Sequence, residues 1–165
     1  MIPILLIMLI AAVDLCIKGE IEARDDSEFP RELPMAKGWI TIHKSHNPGF
    51  PFQFLKERPD LVKTVPMVLI SALGGVLGFL LPKKGYWTEK LVLILTLGGA
   101  LSNYYDRIRR NYVVDYFSIN VGRLKKVIFN LGDIFIFAGA ALMIIAQVAS
   151  GAWKFGKALW GKRKR

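Results

Sequence analysis

The chain carries one cysteine, Cys16, which excludes an internal disulfide and leaves cysteine usage silent about compartment. It has two histidines, His43 and His46, with no carboxylate or cysteine at metal-ligand spacing, so no metal site is expected. The G-x-S-x-G, P-loop and H-E-x-x-H patterns are absent, which removes the familiar serine-hydrolase, nucleotide and zinc-protease signatures. There is no solenoid repeat and no low-complexity linker, and 165 residues suffice for one domain. Acidic residues are scarce against basic ones, 13 against 23, for a net charge of +10. Such an excess can serve nucleic acid, an anionic membrane surface or membrane topology. No aromatic-basic nucleic-acid module is present, so no nucleic-acid partner is expected.

What the chain does have is apolar sequence: 53% of its residues are hydrophobic, gathered in long blocks. Four segments, roughly 2–21, 61–81, 88–106 and 129–150, are each near the ~20 residues a helix needs to cross a bilayer. Open strands are not available in lipid, so these segments are expected to be helices. Cys16 follows Val13-Asp14-Leu15, which lacks the small residues of a lipid-attachment site, and no basic segment precedes the first block. The first block is therefore expected to be a retained membrane helix rather than a cleaved signal. A basic tail over 151–165, with Lys154, Lys157, Lys162, Arg163, Lys164 and Arg165, predicts that both termini are cytoplasmic. Lys83, Lys84 and Lys90 around the second-to-third connection agree, whereas Arg109, Arg110, Arg123, Lys125 and Lys126 load the opposite loop. The outer loops are then 22–60 and 107–128. Each holds a β-like run, Trp39–Ile42 and Tyr112–Phe117, which are expected to pair into a small sheet above the helices. A turn is expected at Asn47-Pro48-Gly49, and Phe50, Phe52, Phe54 and Leu55 form an apolar cluster suited to the membrane interface.

Ionisable groups in or beside the apolar blocks are costly, so they are paired, line polar cavities or act. Asp14 and Lys18 lie in the first block, Asp106 and Arg107 at the end of the third, and Asp133 near the start of the fourth. The topology brings Asp106 and Asp133 to a similar depth near the outer face. Each has an asparagine three residues earlier, Asn103 and Asn130, on the same helical face. Two facing aspartates share a proton, and the pair can activate a water and polarise a peptide carbonyl. Structural readings stand beside this one. Asn130 fits a helix N-cap with Asp133 in the favoured first turn. Asp106 fits a counter-ion to Arg107, and Asp14 with Lys18 an i, i+4 ion pair. A proton-coupled transporter, with Asp14 as its carboxylate near the midplane, is a further alternative.

The run Gly98-Gly99-Ala100-Leu101-Ser102-Asn103-Tyr104-Tyr105-Asp106-Arg107, followed by Val113-Val114-Asp115-Tyr116, resembles the G-G-A-x-G-N-x-x-D-R and V-x-D-F block of the lipoprotein signal peptidase (signal peptidase II) family. Phe129-Asn130-Leu131-Gly132-Asp133 resembles its F-N-x-A-D block, Asp14 and Lys18 its D-x-x-x-K, and Asn47-Pro48-Gly49 its N-x-G. The resemblance implies an all-α membrane protein, four transmembrane helices with a small extracytoplasmic β-cradle, in the bacterial cytoplasmic membrane. It implies an aspartyl peptidase that cleaves prolipoproteins before a diacylglyceryl-modified cysteine, without a cofactor, as a monomer among membrane phospholipids. Carried over, Asp106 and Asp133 are the expected catalytic pair. Asn47, Gly49, Asn103, Arg107 and Asn130 are expected to hold substrate or the pair, with Asp14, Lys18 and Asp115 in support. The chain departs from the family at Ser102, Phe50-Pro51-Phe52-Gln53, Gly132 and Ile134-Phe135, so a relative that binds lipoproteins without cleaving them is the remaining alternative.

Overall fold

The computed structural model describes residues 1–50 and 54–163, with side chains as far as Trp153. Phe52, with Pro51 and Gln53, lies outside the described residues, as do Lys164, Arg165 and the side chains of Lys154, Lys157, Lys162 and Arg163. The described elements include four helices, α1 (Ile2–Ala23), α2 (Pro59–Leu80), α3 (Trp87–Arg109) and α4 (Leu131–Arg163), with strands β1 (Arg31–Glu32) and β2 (Ile40–Asn47) between α1 and α2 and strand β3 (Val113–Ile119) between α3 and α4. Proline in the first turn starts α1 and α2, where its missing N–H costs nothing, and Asp60 and Asp133 sit at the positive ends of α2 and α4.

Three helices, Ile2–Ala23, Pro59–Leu80 and the Leu131–Trp153 part of α4, are long and apolar enough to cross a membrane. The third expected span, α3, is 23 residues long but does not meet that composition. Its position explains why. It packs against each of the other three helices, and its buried face carries Ser102, Asn103, Asp106 and Arg107. A helix enclosed by its neighbours can carry polar residues that a lipid-facing one cannot. The outward faces of the others expose residues such as Leu5, Leu9, Leu69, Phe79, Ile144 and Val148, as a lipid solvent demands. The core between the helices is Ile7, Leu77, Leu93, Ile94 and Leu97.

Glycines set the distance of α3 from α1 and α4. A Cβ on Gly99 would collide with the Gly132 carbonyl oxygen, and one on Gly98 would lie 2.6 Å from Ile10 Cγ2. A Cβ on Gly132 would lie 2.9 Å from the Gly99 carbonyl oxygen. The glycine at 132 is therefore matched to Gly99, and backbones approach closely where a side chain would hold them apart. α4 does not end at residue 150: it runs on through the basic segment to Arg163. Its start lies two residues past the expected one, because Asn130 caps it.

The two β-like runs pair as antiparallel β2 and β3, with Ile42 opposite Phe117 and Asn47 opposite Val113, and a bulge between Ile42 and Ser45. β1 adds to the other edge of β2. The sheet is tied to the helices by Ile21, Val114 and Tyr116, all buried together. Phe129 exchanges backbone hydrogen bonds with Phe117, so the chain returns along β3 just before α4 begins.

Candidate active site

A cavity of about 700 Å³ lies between α2, α3, α4 and the sheet. Its polar end holds Asn47, Asn103, Arg107, Asp115 and Asp133. Its apolar remainder runs between the helices past Leu69, Leu73, Ile136 and Phe137.

Each carboxylate at the polar end is held at both oxygens. Asp115 accepts from Asn130 Nδ2 at 2.7 Å and from Asn47 Nδ2 at 3.2 Å. Asp133 accepts from Asn103 Nδ2 at 2.8 Å and from the Asn130 backbone N–H at 3.2 Å. Asn130 Oδ1 in turn accepts from the Asp133 N–H at 2.9 Å, which makes a reciprocal cap at the start of α4. The capping reading and the site reading therefore describe the same atoms. One residue, Asn130, touches both aspartates, so the two acids flank a single asparagine. Asn47 Oδ1 accepts from the Gly49 N–H at 3.1 Å, which is the expected turn and fixes the amide that faces Asp115.

Asp115 sits on β3, beyond the helices, and is 6% exposed. Burial strips its water and the nearby Asp133 charge repels its ionised form, so its carboxyl is pushed from 3.8 up to about 7; the Asn130 and Asn47 amides pull the other way. Arg107 reaches the Asn103 carbonyl at 3.2 Å and the Gly49 carbonyl at 3.3 Å, with its guanidinium 5.5 Å from the Phe50 ring centre. Its Nε is buried and, among the described residues, has no hydrogen-bond partner.

Asp106, the expected partner of Asp133, does not line this cavity. It is fully buried, and both its oxygens are occupied. Oδ1 takes Arg110, one helical turn on, and Oδ2 takes Lys18 at 3.1 Å and the Val114 N–H at 3.2 Å. Arg107 makes no ion pair with it among the described residues. The acid that shares the cavity with Asp133 is Asp115, which the sequence reading had placed only in support.

Beneath the cavity lies a second polar cluster built from α1 and α3. Lys18 Nζ bonds Asp14 at 2.8 Å, Ser102 at 3.2 Å and Asn103 Oδ1 at 2.7 Å as well as Asp106. Asp14 also accepts from Ser102 at 2.5 Å, Tyr116 at 3.0 Å and the Leu131 N–H at 3.0 Å. Two carboxylates and two cations, Lys18 and Arg110, leave the cluster balanced. Burial and the Asp14 charge raise the Tyr116 hydroxyl, which stays a neutral donor. Lys18 has a consequence for the cavity: by holding Asn103 Oδ1 it turns the Asn103 NH₂ toward Asp133. Sequence reasoning missed Ser102, Arg110 and Tyr116 as members. Arg110 alone was legible, at i+4 from Asp106. His43 bonds Ser118 at 2.9 Å and His46 bonds Glu22 at 2.6 Å, both away from the cavity lining, and Cys16 is exposed.

Residues 6–149 match the family model described as signal peptidase (SPase) II. A lipoprotein signal peptidase of Chromobacterium violaceum is 32% identical over 113 residues, 67% of this chain and 70% of the relative. One from Francisella tularensis subsp. mediasiatica is 30% identical over 147 residues, 87% and 89% of the two chains. In shape, the chain is similar to a bacterial membrane enzyme solved by the in meso method at 2.3 Å resolution, with a TM-score of 0.77, 22% identity and coverage of 92% and 90%. By sequence and by length of match, this chain belongs to the signal peptidase II family.

Proposed function

We propose that this protein is a membrane aspartyl peptidase that removes the signal peptide of prolipoproteins before the lipid-modified cysteine, with Asp115 and Asp133 as its acid–base pair. The observation that carries the pair is the shared cavity: both carboxylates line one space, and Asn130 holds an oxygen of each. Membership of the signal peptidase II family supports the reaction class.

Asp115 is the proton donor of the pair and Asp133 the proton acceptor. A water between them gives a proton to Asp133 as its oxygen attacks the scissile carbonyl carbon, and Asp115 protonates the carbonyl oxygen. The tetrahedral species collapses when Asp133 passes its proton to the leaving nitrogen and Asp115 recovers one from a hydroxyl. The signal peptide leaves with a carboxyl end and the mature chain with a cysteine amine. Asn47, Asn103 and Asn130 hold the acids in place, while Arg107 Nε, without a partner among the described residues, donates to a substrate carbonyl. The apolar remainder of the cavity takes the diacylglyceryl chains, whose burial positions the bond. In this reading α3 also spans the membrane within the bundle, both termini are cytoplasmic, and the cavity's polar end faces outward.

The transporter reading places its carboxylate near the midplane. Asp14 is instead closed off by Lys18, Ser102 and Tyr116, and both cavity carboxylates lie at one end of the helices. The test is purified protein offered the same precursor with and without its diacylglyceryl group. Cleavage before the cysteine only in the lipidated form is expected. No cleavage of either by folded protein contradicts the peptidase assignment.

A further inference from the structure

We propose that the far end of the sheet is a membrane-docking tip that takes the headgroups of anionic phospholipids. This rests on the reading above for which side of the membrane the sheet occupies, but on none of its chemistry. Two segments make the tip, Leu33–Ile42 and Tyr116–Ile128, and Asn120 ties them together. Its N–H donates to the Trp39 carbonyl at 2.9 Å, and its side-chain amide donates to the Gly38 carbonyl at 2.7 Å and to Thr41 Oγ1 at 3.0 Å.

The tip combines exposed apolar groups with unpaired positive charge. Met35 is 93% exposed and Trp39 62%, and Val121 and Leu124 stand out beside them. Lys37, Arg123, Lys125 and Lys126 are exposed, and among the described residues none of these four makes an ion pair. Neither segment contains an aspartate or glutamate. An acidic peptide would match the charge but would leave Met35, Trp39 and Val121 in water. A lipid surface matches both, since apolar side chains enter the headgroup boundary while lysine and arginine meet phosphates. Tryptophan is a preferred residue at that depth. Position agrees as well, because Leu124 and Val127 also line the cavity, so the tip adjoins the apolar space that opens between the helices. The positive charge is also placed where topology alone disfavours it. A loop on the outer side is expected to be poor in lysine and arginine, and anionic headgroups give these residues a local role.

The test follows Trp39 fluorescence in full-length protein carrying Trp87→Phe, Trp153→Phe and Trp160→Phe. The protein is reconstituted in phosphatidylcholine vesicles that contain a minority of phosphatidylglycerol. Bromine, a quencher, is placed on the chains of one lipid or of the other. Each surface cation strengthens attachment to an anionic leaflet roughly fivefold, so brominated phosphatidylglycerol should quench several-fold more per mole than brominated phosphatidylcholine. High salt should bring the two to parity, and so should Arg123→Gln with Lys125→Gln and Lys126→Gln. The salt arm needs no charge substitution beyond the single-tryptophan protein. Quenching by neither lipid, or equal quenching by both at low salt, overturns the proposal. So does a result in which lipid never quenches and the triple variant slows cleavage only of precursors with acidic residues after the cysteine. That outcome would make the patch a peptide reader. Preferential quenching in a protein without peptidase activity would support the tip and count against the peptidase reading alone.

Discussion

Asp115 holds its proton up to about pH 7 because it is buried beside another acid, and this has two consequences that can be measured. The first concerns stability. Between 3.8 and about 7 the unfolded chain has lost this proton while the folded chain keeps it. Stability therefore falls as pH rises through that window and then levels off, by on the order of 4 kcal/mol at most. Asp115→Asn mimics the protonated acid, so its melting temperature should move above that of the wild type from about pH 4 to about pH 8. A constant difference across that range would contradict the shifted carboxyl. The second concerns rate: kcat/KM should decline as pH passes about 7, where the free enzyme's proton-donating acid is lost. The spacing brought Asp106 and Asp133 to one depth, and the family resemblance added Asp115 in support. Neither showed which two face the cavity. That depends on Lys18, 88 residues away from Asp106 in sequence, and on a strand that delivers Asp115 from outside the helices.

At the scale of elements, two contacts decide whether the cavity keeps its shape. α1 is joined to α3 through Lys18, which faces Asp14 and Asp106 at 2.8 and 3.1 Å with no exposure. Removing one partner of a buried ion cluster costs about 3–5 kcal/mol. Lys18→Met is therefore expected to lower the melting temperature sharply and to reduce kcat in whatever fraction folds, since Asn103 loses the bond that orients it toward Asp133. α3 is joined to α4 through Gly99 and Gly132. Gly132→Ala would press a methyl group to 2.9 Å from the Gly99 carbonyl oxygen, at a cost of about 1–3 kcal/mol, whereas Gly74→Ala meets nothing within 4 Å. Thermal unfolding of the two variants should separate them, and equal melting temperatures would show that the helices have room to part. The helices themselves were legible from the length of the apolar blocks, and the strand pairing from two β-like runs in loops on one side. The end of α4 was not, because glycine and lysine after residue 150 read as a tail while the helix continues. β1 was not either: two charged residues, Arg31 and Glu32, carry no alternating pattern to read.

For the whole molecule, the layout is a central polar helix wrapped by three apolar ones, with a sheet closing one end. Charge counting gave conflicting signals about topology. Lys90, on the side expected to be cytoplasmic, is spent on structure, donating to the Lys83 carbonyl at 2.5 Å and closing the turn between α2 and α3. Arg110 is likewise committed to Asp106. In the topology proposed above, the C-terminal lysines and arginines hold both ends in the cytoplasm. Alkaline phosphatase fused after Arg165 should be inactive, and inserted in the loop near Asn120 it should be active; the reverse pattern would invert the assignment. The claim on which function depends is narrower. The proposal is that Asp115 and Asp133 are the acid–base pair and that Asp106 serves as a buried counter-ion. The most direct test is the initial rate of lipidated-precursor cleavage by purified, folded Asp115→Asn and Asp106→Asn proteins, normalised to folded protein. Loss of about 10³-fold or more is expected for Asp115→Asn, against a much smaller loss per folded molecule for Asp106→Asn. An Asp115→Asn enzyme within about tenfold of wild type, beside an inactive but well-folded Asp106→Asn, would contradict the account.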